Sequence, residues 1–188
     1  MKNLKSIALA LVVVLSTVSV SAQTVKIDAS KSSINWLAKK VTGQHNGTVN
    51  LKDGALVFKG KKLVGGTFTA DMTSLTSTDL TGEYLGKLNG HLKSEDFFST
   101  AKFPTATLVF KKIGAKSANV YTVTADLTIK GITNPVTFDI STTANSATTK
   151  FMVDRTKYDI KYNSASIFSS IGDKAIDDNF ELTVNLNF

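Results

Sequence analysis

"VYTVTADLTIK", residues 120–130, decides the fold. Tyr121, Val123, Ala125, Leu127 and Ile129 fall on one face, and Val120, Thr122, Thr124, Asp126, Thr128 and Lys130 on the other. Successive side chains leave a strand on opposite sides, so this unbroken period of two predicts a long, half-buried antiparallel strand. The pattern recurs in both directions. Phe180, Leu182, Val184, Leu186 and Phe188 alternate with Glu181, Thr183, Asn185 and Asn187 at the C-terminus. "GTFTADM" (66–72), "TATLVF" (105–110) and "VTFDI" (136–140) repeat it, and further strands are expected near Val25, over 34–38 and over 151–162. Turn chemistry punctuates these runs. Asp53-Gly54, between "TVNL" and "ALVFK", predicts a hairpin; Gly131 to Pro135 separates two strands, and Ala144 to Thr149 reads as a polar loop. The sum is about eight to ten strands in one all-β domain without internal repeats.

Two interruptions read as helical. Leu80, Tyr84, Leu88 and Leu92 recur at every fourth position. Directly afterwards, "HLKSEDFFSTAKFP" (91–104) offers Ser94 as an N-cap, Glu95 and Asp96 as first-turn acids, and Pro104 as a stop. Residues 79–100 would then form a lid or plug over one end of the sheet structure, wedging both Phe97 and Phe98 into a concave opening.

The N-terminus predicts export. Lys2 and Lys5 precede an apolar run, Ile7 to Val20, too short to span a bilayer comfortably, and Val20-Ser21-Ala22 is a small-residue cleavage site. Residues 1–22 are therefore expected to be a secretory signal peptide and 23–188 a single periplasmic domain. No cysteine is present, so burial and backbone hydrogen bonding must hold the fold. Removing Lys2 and Lys5 from 22 basic residues leaves 20 against 15 acids, a net charge of +5. Arg155 is the sole arginine, and the lysines fall in pairs such as Lys39-Lys40, Lys61-Lys62 and Lys111-Lys112 near turns. That distribution argues against nucleic-acid recognition and fits solvated strand ends, with weak attraction to anionic membrane surfaces.

Catalytic chemistry has little to build on. The two histidines, His45 and His91, lack metal-ligand spacing, and P-loop, GxGxxG and GxSxG motifs are absent. Neither a catalytic nor a metal-ligating residue is assigned, no cofactor is expected, and an enzyme is not the expected class. Asn46-Gly47-Thr48 fits a glycosylation site and a turn equally. What stands out is apolar face, with 11 phenylalanines mostly in strand phase or in the lid. A small barrel of such strands either fills its interior or holds one ligand. A third arrangement turns the apolar face outward, as a small outer-membrane β-barrel does. Against that stand the single tryptophan and four tyrosines available for two aromatic girdles, and several strands shorter than the roughly nine to eleven residues a bilayer requires.

The chain from Trp36 onward resembles the YceI-like family, through "HNGTVNL", "GGTFTADMTSLTSTD", "HLKSEDFFSTAKFPTATLVF", "YTVTADLTIKGITNPVTFDI", "DRTKYDIKY" and "GDKAIDDNFELTVNL". The resemblance implies an antiparallel lipocalin-like barrel of about eight strands with a short helical lid insertion, binding a polyisoprenoid or fatty-acyl lipid. Strand phase and resemblance together nominate Phe68, Met72, Leu108, Phe110, Leu127, Ile129 and Phe138 as the ligand-binding wall. Phe98 is nominated as part of the lid, and His91 and Arg155 as neighbours of the polar head. The chain departs from the family at Tyr158-Asp159, where an aromatic-glycine pair is usual. The alternatives to a lipid carrier are the outer-membrane barrel and a filled-core structural domain.

Overall fold

The structure is a computed structural model that describes residues 21–168 and 172–188. The first twenty residues of the expected signal peptide lie outside the described residues. Nine strands form one antiparallel sheet: β1 (Ala22–Lys26), β2 (Ser33–Lys40), β3 (Gly43–Lys59), β4 (Lys62–Ser77), β5 (Thr105–Ser117), β6 (Val120–Ile129), β7 (Ile132–Thr142), β8 (Ser146–Asp154) and β9 (Ile176–Asn187). The order runs β1-β3-β2-β9-β8-β7-β6-β5-β4, and β3 also pairs with β4. Strands β2 to β9 therefore close into an eight-stranded barrel, while β1 lies along the far half of β3, Ala22 opposite Lys59. Closure removes the open edges that a sheet of this size would otherwise expose.

The alternation read from sequence sets which side faces in. In β6, Tyr121, Val123, Ala125, Leu127 and Ile129 are all buried while the intervening positions are half-exposed. Apolar faces point inward throughout, so the outer-membrane arrangement is not adopted. No helix among the described residues is long and apolar enough to cross a membrane.

Long connections gather at one end, here called upper. There β4 reaches β5 through helix α1 (Gly82–Lys93) and a set of turns, and β8 reaches β9 through residues 155–175, which begin with a 3-10 turn at Arg155–Tyr158. The lower end has short turns at 60–61, 118–119 and 143–145.

Four local expectations are corrected. Asp53-Gly54 is not a hairpin: β3 continues through it, with a register shift against β4 between Leu51 and Asp53. The glycine serves close packing, because a Cβ on Gly54 would come within 2.7 Å of the Phe68 ring. The second helix does not form. Ser94 is the C-cap of α1, its hydroxyl donating to the His91 carbonyl at 2.8 Å, and its own carbonyl accepts the Phe97 and Ser99 amides in successive turns. The expected strand over 151–162 ends at Asp154, and it begins at Ser146, inside the stretch read as loop. The turn before β7 is only Lys130-Gly131, both with positive φ (51° and 74°), as a tight two-residue hairpin requires. Pro135 therefore lies within a strand, opposite Asp126.

That proline marks an irregularity. β7 and β8 pair at only three positions, Ile140–Thr149, Ser141–Thr148 and Thr142–Ala147. Above them, no ladder pair joins 132–139 of β7 to 150–154 of β8 among the described residues. Proline has no N–H to give to a ladder, so a strand can hold it where one neighbour is missing.

Candidate ligand-binding cavity

Inward side chains of the barrel surround a cavity of about 170 Å³. For scale, an apolar cavity of about 150 Å³ suffices to hold benzene. On β9 alone the wall runs from Ile176 to Leu186, a strand length of roughly 30 Å at 3.3 Å per residue, so the space is a slot rather than a sphere. Of its thirty lining residues only Thr107, Thr149, Arg155 and Asp177 are polar. Thr149 is satisfied internally, its hydroxyl donating to the Asp139 carbonyl at 2.7 Å. Such a wall offers hydrocarbon contact and almost no directional recognition.

Room arises where small residues meet. Ala70 of β4 and Ala106 of β5 are paired directly across the ladder, and Ala38 of β2 lies opposite Phe180 of β9; all four line the cavity. The lower part of β3, β4 and β6 is different. Leu56, Leu63, Tyr121 and Val123 are buried without contributing to the cavity, and the Tyr121 hydroxyl donates to the Lys61 carbonyl at 3.2 Å.

The upper end is covered by the two long connections. From the first, Leu92, Phe97 and Phe98 reach the cavity; from the second, Arg155 and Ile160. The connections are fastened together: Lys130 Nζ donates to the Asp159 and Glu95 carbonyls, and the Tyr162 ring lies 4.6 Å from His91 and 5.4 Å from Phe97. Of the stripe on α1, Leu92 packs on the core while Tyr84 is 73% exposed, so the helix rests on the barrel through its C-terminal turn. Asn89 holds it to β4, accepting from the Ser77 amide and donating to the Thr76 hydroxyl, both at 2.9 Å.

Of the ten residues nominated from sequence, Phe68 and Met72 of β4, Leu108 and Phe110 of β5, Leu127 and Ile129 of β6, Phe138 of β7, and Phe98 and Arg155 of the upper cover line the cavity. His91 does not; its Nε2 lies 3.1 Å from Asp96 and its ring is edge-on to Phe97 and Tyr162, on the outer side of the cover. Arg155 borders the cavity, but its guanidinium is held by backbone carbonyls. Its Nε donates to the Asp177 carbonyl, one terminal nitrogen to those of Ile160 and Tyr162, and the other to that of Ile176, at 2.9–3.0 Å. Asp178 stands 3.7 Å away. Burial lowers the guanidinium pKa, against the opposing pull of Asp178, Asp154 and Asp177, and the group remains a cation. Four of its five N–H donors are spent on tying the second connection to the start of β9.

The sequence reading missed the opposite wall: Trp36, Phe151, Phe180, Leu182 and Val184. The alternation that marked β9 as a strand carried the signal for three of them. Trp36 Nε1 and the Tyr158 hydroxyl are buried without a hydrogen-bond partner. Burial, with Asp154 adding to it, pushes the Tyr158 phenol up to about 12. Trp36 lies against Gly47, where a Cβ would come 2.5 Å from the indole and 1.9 Å from the Thr76 carbonyl, so that glycine belongs to β3 packing and not to a turn.

An eight-stranded closed barrel with a hydrocarbon slot and a covered end defines a lipocalin-like architecture. Residues 25–188 match the YceI-like domain, and the chain belongs to that family. A UPF0312 protein of Shewanella denitrificans is 31% identical over 96 residues, 51% of this chain and 48% of that protein. One from Staphylococcus aureus is 39% identical over 88 residues, again 48% of its length. The chain thus spans about half the length of these curated relatives in the matched regions. Among solved structures, Burkholderia cenocepacia BcnA superimposes with a TM-score of 0.68 at 20% identity, covering 85% of this chain and 98% of that one. A polyisoprenoid binding domain from Saccharophagus degradans gives 0.56 at 13% identity, covering 90% and 99%. These likenesses show the shared fold.

Proposed function

We propose that this protein is an exported, periplasmic carrier or sequestering protein that binds the hydrocarbon chain of a long amphiphile, polyisoprenoid or fatty-acyl, inside its barrel, without catalysis. One observation carries the reading: a slot of about 170 Å³ walled almost wholly by apolar side chains. Each methylene buried there gains about 0.8 kcal/mol gross, of which a part is offset by ordering of the chain, and a chain longer than the present space requires the wall to move apart. Family membership and the polyisoprenoid binding domain of S. degradans support the lipid class. Phe68, Met72, Leu108, Phe110, Leu127, Ile129 and Phe138 would contact the chain, with Phe98 closing the upper end. Lys59, Lys61 and Lys62 at the lower hairpin supply the positive charge for weak contact with an anionic membrane surface.

Native mass spectrometry of purified protein tests the proposal by revealing a co-purifying amphiphile. A delipidated sample should then take up a fluorescent acyl or polyprenyl probe. An empty protein that refuses every such probe would sink the reading.

A further inference from the structure

We propose that the seam between β7 and β8 is the passage through which the apolar chain enters and leaves the cavity; this rests on the carrier reading above. Three routes lead inward. At the upper end, passage requires parting the two connections, which are joined by Lys130 and by the His91–Tyr162–Phe97 aromatic contacts, the second being tied to β9 by four Arg155 hydrogen bonds. Lower on the barrel, β4 and β5 are unpaired below Thr67–Val109, but there Phe110 of β5 covers Gly66 and the β4 side, residues 62–66, carries no cavity-lining residue. The β7–β8 seam differs from both, because cavity-lining residues stand on each side of it.

Extending the register of the three paired positions sets Phe138 opposite Phe151, and their rings are stacked at 4.5 Å and 17°. Both line the cavity. One step away, the same register sets Asp139 opposite Lys150, yet each turns from the seam: Asp139 binds Lys116 and Thr122, while Lys150 binds Glu181 at 2.9 Å. No ion pair spans the gap among the described residues. It is bounded below by the Thr149 hydroxyl on the Asp139 carbonyl and above by Asn134 Nδ2 on the Lys157 carbonyl, 2.9 Å. Between these fasteners, opening costs one aromatic stack and no ladder hydrogen bonds. Outside, Met152 is 55% exposed and Ile132 38%, an apolar approach for a hydrocarbon chain.

The chain has no cysteine, so a Thr137→Cys/Met152→Cys pair, outward-facing and opposite in the extended register, is uniquely reactive. The pair is locked as a disulfide, or with a short bis-maleimide where the separation is too great, and loaded with an anthroyloxy-stearate probe. Locking should slow uptake and release together by at least about tenfold with little change in Kd, and reduction of the disulfide should restore both rates. A second lock, His91→Cys/Tyr162→Cys, closes the upper cover instead. Unchanged rates with the seam locked, or slowing only by the upper lock, overturn the proposal while leaving the carrier reading intact. A wild-type protein that binds no probe overturns both.

Discussion

The two sides of the barrel obey one alternation and end differently. Around Leu56, Leu63, Tyr121 and Val123, low on β3, β4 and β6, the inward residues meet and exclude space; along β2, β7, β8 and β9 and the upper parts of β3 to β6 they line a slot. Both sides are apolar, so hydrophobicity does not separate them. Size does. Where Ala70 faces Ala106, two methyl groups stand where larger pairs would close the gap. The hollow is thus a feature of residue volume superimposed on an ordinary strand pattern.

The sharpest way to break this comparison is to truncate one leucine on each side. Leu56→Ala, fully buried in the packed side, should cost about 4 kcal/mol in denaturant unfolding, whereas Leu182→Ala, already beside empty space, should cost about 1 kcal/mol. Equal losses would mean that the slot is filled in solution. Next comes the cover: Arg155→Lys cannot reach four carbonyls, and a loss of about 2–3 kcal/mol is expected from the orphaned acceptors. Filling the slot should separate binding from stability. Ala106→Phe is expected to weaken acyl-probe binding about tenfold, measured by fluorescence titration, while shifting stability by less than about 1 kcal/mol.

The smallest effect concerns pH. Burial would raise the Asp79 carboxyl, but hydrogen bonds from Ser77, His45 and the Asn46 amide outweigh it and hold the pKa at about 2. A folded pKa below the unfolded one stabilises the fold above the ordinary carboxylate range, and the gain disappears as pH falls toward about 2. The stability gap between wild type and Asp79→Asn should accordingly be about 1 kcal/mol near neutrality, reduced by solvent screening, and shrink through that acid window. A gap that widens on acidification would contradict this arrangement of donors.

Strand phase was legible because each strand buries one face, and every long alternating run became a strand. Asp53-Gly54 misled because its turn chemistry is local, whereas the glycine answers to Phe68 on the neighbouring strand. Ser94 misled likewise: a serine before two acids reads as a helix start, but here it ends α1. Most nominated wall residues were accessible from phase on β4 to β7. The role of Arg155 was not, since it depends on four carbonyls brought together only by the returning chain. Cavity volume also escapes sequence, being a sum over eight strands.

Trp36 is the sole indole in the chain, and it forms part of the slot wall. Excited at wavelengths that the four tyrosines do not absorb, its emission reports on that compartment alone. Filling or emptying the barrel can be followed in unlabelled protein as a shift in colour or intensity, an optical gauge built into the wall itself.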